Sequence, residues 1–182
     1  MGKLIIDIYT HILPSGYRER LSRKVSVDVG KMMFFGNPAL TDLDVRFREM
    51  DGCAGGLLQV LTLVTPPLEV LVDGPAAVEL ARAANEEMAE LAARYPDRFA
   101  AAVAALPMHD PEAALQEADR AIRELGMKGV QICSNINGEP LDSPRWRPLF
   151  RKMAEYDLPV WIHPRDPPDN PVVSTDLPIE LK

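Results

Sequence analysis

Short apolar runs of strand length alternate with longer segments of helical period from one end of this chain to the other, and that alternation constrains the fold most. The runs are KLIIDI at 3–8, LLQVLTLV at 57–64, residues 99–106, GVQIC at 129–133 and residues 158–162. Each is nearly continuous in apolar character, as expected of strands buried on both faces of a parallel sheet. The helical segments are 42–51, 74–95, 110–125 and 144–156. Their spacing suits right-handed βαβ units, so an α/β fold with a single substantial core is expected across 1–182.

Local signals mark the boundaries. Thr41-Asp42 caps the first helical segment, and Asp51-Gly52 stops it. In the second, Val78, Ala81, Met88, Leu91 and Ala92 recur at helical spacing. Asp110-Pro111 opens the third and Gly126 closes it; Ser143-Pro144 opens the fourth. After the turn at Pro14-Ser15-Gly16, residues 12–45 show no sustained period and read as an arm, with Met32, Met33, Phe34 and Phe35 as a lid or a subunit contact.

Twenty Lys and Arg stand against 27 Asp and Glu, a net charge of −7 that argues against a nucleic-acid partner. The one local cluster, Arg18, Arg20, Arg23 and Lys24, reads as an exposed turn or loop. Cys53 and Cys133 have no second pair with which to form a zinc knuckle and are expected as reduced core residues. No segment has the length of a signal peptide or a membrane helix, and Ile6 stands where myristoylation needs Ser or Thr. A cytoplasmic protein without membrane contact is expected.

The choice between a barrel and an open sheet turns on the residues at the carboxyl end of each strand. The first strand leads into Tyr9-Thr10-His11 and carries no dinucleotide-binding glycine fingerprint. Polar groups gather at the ends of all five: Tyr9 and His11, then Thr65, then His109 and Asp110, then Ser134, Asn135 and Asn137, then His163, Arg165 and Asp166. A ring of polar loops is what the mouth of a barrel requires. The chain stops at Lys182, soon after His163, so most of the far wall of such a mouth is expected to be missing.

IIDIYTHILP at 5–14 resembles the opening of the amidohydrolase-related superfamily. VRFREMDGCAGGLLQVLT at 45–62, the stretch 85–132 and PLFRKMAEYDLPVWIHP at 148–164 resemble its branch of aminocarboxymuconate-semialdehyde, hydroxybenzoate and resorcylate decarboxylases. The resemblance implies a TIM-barrel-like (β/α)8 architecture, here about the first five β/α units with an excursion after strand one. It also implies a divalent metal, zinc first and manganese second, a small carboxylate-bearing substrate and a homo-oligomer.

By this resemblance His11 is the second histidine of the metal-binding pair after strand one, and His163 is a third protein ligand. The later carboxylate ligand and the acid/base histidine after strand six lie beyond this chain. Tyr9 stands where the branch has a first histidine or a glutamate. It either weakens the metal site or turns a hydroxyl to substrate while Asp7, two residues earlier and expected on the same face, fills in as ligand.

Arg165 is a candidate partner for a substrate carboxylate, with Asn135 beside it; a surface pair with Asp166 is the plainer alternative. His109 reads as a loop histidine and Asp110 as a helix cap. Where the branch has a substrate-clamping arginine this chain has only Lys31. Arg46 and Arg48 match the branch, with structural pairing to Glu49 or Asp51 as their ordinary explanation. The function implied is non-oxidative decarboxylation of a small unsaturated or aromatic acid in the complete protein. Hydrolysis of a small ester, lactone or amide is the alternative, and a non-catalytic half-barrel that oligomerises is another.

Overall fold

The computed structural model describes residues 3–25, 36–63 and 66–165. In chain order these form β1 (Ile5–Ile12), α1 (Ser15–Lys24), a 3-10 turn (Pro38–Leu40), α2 (Leu43–Asp51), β2 (Leu57–Leu63), α3 (Leu68–Leu71) and α4 (Gly74–Arg94). Then come β3 (Phe99–Ala102), β4 (Ala104–Ala105), α5 (Pro111–Arg123), β5 (Val130–Cys133), β6 (Asn135–Ile136) and β7 (Glu139–Pro140). A second 3-10 turn (Pro144–Trp146), α6 (Arg147–Glu155) and β8 (Val160–His163) complete them.

The third apolar run is split at Val103, and the split lets one strand serve two neighbours. β3 pairs with β2, whereas β4 pairs with β5. Across the break Val103 N donates to Leu61 O at 2.9 Å and Ala104 N to Gly129 O at 2.9 Å. All these pairings are parallel, and β5 pairs in turn with β8. The strand units thus run in chain order with β1 at one edge, as in a barrel wall; a doubly wound sheet places its first strand inside.

The centre of this wall is held by α4 and α5. In α4 the fully buried stripe is Ala77, Leu80, Ala81, Ala84 and Met88, with Val78, Leu91 and Ala92 half-buried at its margins. Asn85, also buried, donates to Ala105 O at 2.9 Å and accepts from Ala105 N at 2.8 Å, so one side chain satisfies the backbone of β4. Its amide also donates to Glu117 of α5 at 2.7 Å, and Glu117 takes a two-pronged bond from Arg120 at 2.8 and 2.9 Å. Asp42 and Asp110 cap α2 and α5 through bonds to two backbone amides each.

Three expectations change. Residues 15–24 of the supposed arm are a helix, anchored by Tyr17 and Leu21, one turn apart and buried. Its basic cluster is therefore a helix face, on which Arg20 and Lys24 pair with Glu79 of α4. The first strand runs later than 3–8 and is not buried on both faces: Ile6 is 53% and Ile8 60% exposed, because only β2 flanks it among the described residues. Cys133 is buried but Cys53 is only half-buried; both are free thiols. Lys31, Met32, Met33, Phe34, Phe35, Thr65 and Asp166 lie outside the described residues.

Candidate functional site

The wall curves enough for its two outer strands to meet through side chains. Trp161 of β8 donates its indole N–H to Ile8 O of β1 at 2.7 Å. Gly129 makes room for that indole, since a Cβ there would stand 2.5 Å from the ring and 2.6 Å from Pro159 O. One step further along each strand His11 and His163 face each other, ring centroids 5.4 Å apart, with Tyr9 5.5 Å from His11 and 6.1 Å from His163. The structure brings His163 to Tyr9 and His11 from more than 150 positions away in the sequence.

Each imidazole is oriented from behind. Thr62 of β2, paired in register with His11, donates its hydroxyl proton to Thr10 O at 3.2 Å and so accepts from His11 Nδ1, 2.9 Å away. His163 Nδ1 donates to Pro164 O at 2.7 Å. These partners favour the tautomer that leaves each Nε2 as the lone-pair nitrogen. Burial first, then the neighbouring His163, holds the His11 pKa below its ordinary value, with the Leu63 carbonyl opposing and Arg46 adding to the depression. A neutral imidazole is the form that binds a metal ion.

Tyr9 does not complete a ligand set. Its hydroxyl is buried without a hydrogen-bond partner among the described residues, and burial, assisted by Cys133, pushes its pKa up to about 12. The phenol stays neutral, a poor ligand but a competent donor. Nor does Asp7 join the pair. The β1–β2 register shifts between Asp7 and Thr10, and the extra residue breaks the alternation that would put Asp7 on the face of Tyr9. Asp7 instead pairs with Gln59, whose side chain bonds Arg46, and it accepts from Tyr9 N at 3.1 Å while its charge acts on Arg46. Among the described residues no group of three His, Cys, Asp or Glu is placed to hold a metal ion.

Arg46 props β1 from the helix side. It donates to Gln59 Oε1 at 2.7 Å, His11 O at 2.8 Å and Ala39 O at 3.2 Å, while Asp51 pairs with Arg98. Its hydrogen-bond acceptors are thus neither Glu49 nor Asp51, although the charge of Glu49 acts on it; Arg48 is exposed. His109 buries both ring nitrogens without a partner among the described residues.

Arg165 is held by its backbone. Its N–H donates to Ser134 Oγ at 2.9 Å, and its carbonyl accepts from Ser134 Oγ at 3.1 Å and Asn135 Nδ2 at 2.8 Å. Asn135 Oδ1 accepts from Gly138 N at 2.9 Å, so this amide, expected at substrate, is engaged at both ends in positioning Arg165. The guanidinium approaches Glu69 of α3, whose side chain is 1% exposed. Sequence reasoning missed Glu69; its signal is an acid two residues past Pro66-Pro67, at the carboxyl end of β2. It missed Thr62 as well, which the pairing of β1 with β2 makes visible.

The chain is similar to known proteins over much of its length. The amidohydrolase family model matches residues 61–179. Gamma-resorcylate decarboxylase of Rhizobium radiobacter is 40% identical over 131 residues, covering 68% of this chain and 39% of the relative. The 2-amino-3-carboxymuconate-6-semialdehyde decarboxylase of Dictyostelium discoideum is 34% identical over 178 residues, covering 88% of this chain and 49% of the relative. A solved 5-carboxyvanillate decarboxylase of Novosphingobium aromaticivorans, complexed with manganese and 4-hydroxy-3-methoxy-5-nitrobenzoic acid, matches with a TM-score of 0.75 at 32% identity, over 92% of this chain and 52% of that one. The chain spans about two fifths to one half of the length of these proteins, and its wall is the corresponding part of their TIM barrel. With its parallel strands in barrel order and the family model matched over most of its length, the chain belongs to the amidohydrolase family.

Proposed function

We propose that the complete protein is a divalent-metal-dependent, non-oxidative decarboxylase of a small aromatic or unsaturated carboxylic acid. The pairing of His11 with His163 at the strand ends carries the proposal, and the decarboxylases among its relatives support it. Two oriented imidazoles fit two positions around a manganese or zinc ion, the first being the ion of the 5-carboxyvanillate decarboxylase; Tyr9 and Asp7 do not fit a third. Such an ion, when bound, supplies the positive charge that holds a carboxylate and stabilises charge developing beside it.

The chain's own residues hold and orient the reacting groups. His11 and His163 hold the ion through Nε2, with Thr62 and the Pro164 carbonyl fixing the rings. Tyr9 directs a neutral O–H at a substrate oxygen, and Arg165, aligned by Ser134 and Asn135, faces the substrate from the loop after β8. The apolar edges of β1 and β8 support association with a further copy, and a cytoplasmic location completes the proposal; among the described residues no helix is long and apolar enough to cross a membrane.

The test is release of carbon dioxide from 2,6-dihydroxybenzoate and related aromatic acids by the protein with and without manganese. Metal-dependent release that is lost in His163→Asn is expected. Absence of both turnover and acid binding by the folded, manganese-loaded protein overturns the proposal.

A further inference from the structure

Trp161 joins the two outer strands where the sheet does not. The backbone path from His163 to His11 runs from β8 through β5 and β4, across the split at Val103, and through β3 and β2 to β1. Both the β1–β2 and β2–β3 pairs carry register shifts along the way. Displacements add at each of these joints, so the path fixes the separation of the two imidazoles only loosely. The indole N–H of Trp161, donated to Ile8 O at 2.7 Å, spans the same distance in one bond. No other hydrogen bond among the described residues joins β1 to β8.

This tie lies just short of the histidines along both strands. Ile8 is three residues before His11, and Trp161 is two before His163. The two imidazole centroids stand 5.4 Å apart. Two nitrogens that share one ion must keep within about 0.5 Å of a single working geometry. An indole supplies that hold without competing for the ion, because its one polar group is a donor with no lone pair to offer.

The fold makes room for the tie. A Cβ at Gly129 would stand 2.5 Å from the Trp161 ring and 2.6 Å from Pro159 O, so a larger residue there displaces the indole. Gln131, in register with Trp161, repeats the device one strand earlier by donating its amide to Leu63 O of β2 at 3.1 Å. Side chains of β5 and β8 thus reach across to the backbone of β2 and β1. The strand that gains most is β1, which only β2 flanks among the described residues.

We propose that Trp161 is a positioning residue of the histidine pair: its hydrogen bond to Ile8 O holds β1 against β8 and sets the separation at which His11 and His163 share an ion. This rests on the reading of that pair as a metal site and adds a residue outside the ligand set.

Two measurements test it. Hydrogen exchange of the indole N–H groups is followed by NMR in the metal-free wild type, the Trp161 signal being the one absent from Trp161→Phe. That proton is expected to exchange about tenfold or more slowly than a free indole. Manganese titration by electron paramagnetic resonance then compares the wild type with Trp161→Phe, which keeps a ring and loses the donor. Binding is expected to weaken about tenfold, as when a group that orients a ligand is lost. Ile162→Ala, on the same strand and 51% exposed, should bind as the wild type does. Should Trp161→Phe misfold, seen by circular dichroism, Gly129→Ala takes its place and is expected to weaken binding by a similar factor. An indole proton that exchanges freely, wild-type affinity in the folded variant, or equal weakening in Ile162→Ala overturns this inference and leaves the metal site standing. A folded wild type with a protected indole proton and no manganese binding overturns the metal site and this inference with it.

Discussion

The centre of the wall and its two outer strands are written in similar residues and live in opposite surroundings. Leu61 of β2 and Val130 of β5 are fully buried beneath α4 and α5, whereas Ile6 and Ile8 of β1 and Ile162 of β8 are each more than half exposed. A strand's composition therefore states the environment it is suited to, and its neighbours decide whether it gets one. The division is also one of labour. Stability resides in the centre, through α4, β4 and α5, while Tyr9, His11 and His163 sit on the outer strands where cover is least.

Truncating the centre should have the largest effect. Leu80→Ala, at a fully buried position of α4, is expected to cost about 3–5 kcal/mol in urea unfolding, from lost burial and the cavity left behind. Asn85→Ala should rank next at about 2–3 kcal/mol, because it strands the buried N–H and C=O of Ala105 and removes a partner of Glu117. If either costs under about 0.5 kcal/mol, the centre is not the stabilising region.

The outer strands should answer differently. Ile8→Thr is expected to change unfolding stability by less than about 0.5 kcal/mol and to reduce self-association in sedimentation velocity. A loss as large as that of Leu80→Ala would mean that β1 is covered in solution.

The smallest effect is one of pH. Asp119 of α5 has its pKa held low by the Tyr156 hydroxyl first, then by Arg123 and Lys152. A carboxylate depressed in the folded state contributes stability above its unfolded value that disappears as pH falls through the folded one. Unfolding midpoints of wild type and Tyr156→Phe should therefore differ near neutrality, begin to draw together as pH falls past about 4, and converge only below the depressed folded value. A difference that grows on acidification would contradict the assignment.

Much of this was legible in the residues. The order of strands and helices, the Asp42 and Asp110 caps and the two histidines at strand ends all arise from local chemistry that the fold leaves in place. What escaped depends on partners distant in sequence. Helix α1 shows only Tyr17 and Leu21 as a buried stripe and has no capping side chain, so its period is too brief to stand out. The bulge that takes Asp7 off the face of Tyr9 is a property of the pairing with β2 and leaves no mark on the residue types of β1 itself. Asn135 looks free until its two bonds are seen, and Glu69, an acid after two prolines, looks like a solvated loop.

The central claim is that His11 and His163 hold a divalent ion, and titration with manganese followed by electron paramagnetic resonance tests it most directly. Binding by the wild type is expected to weaken at least tenfold in His11→Asn and again in His163→Asn, with urea midpoints little changed. Equal manganese affinity in the wild type and the double variant would contradict it.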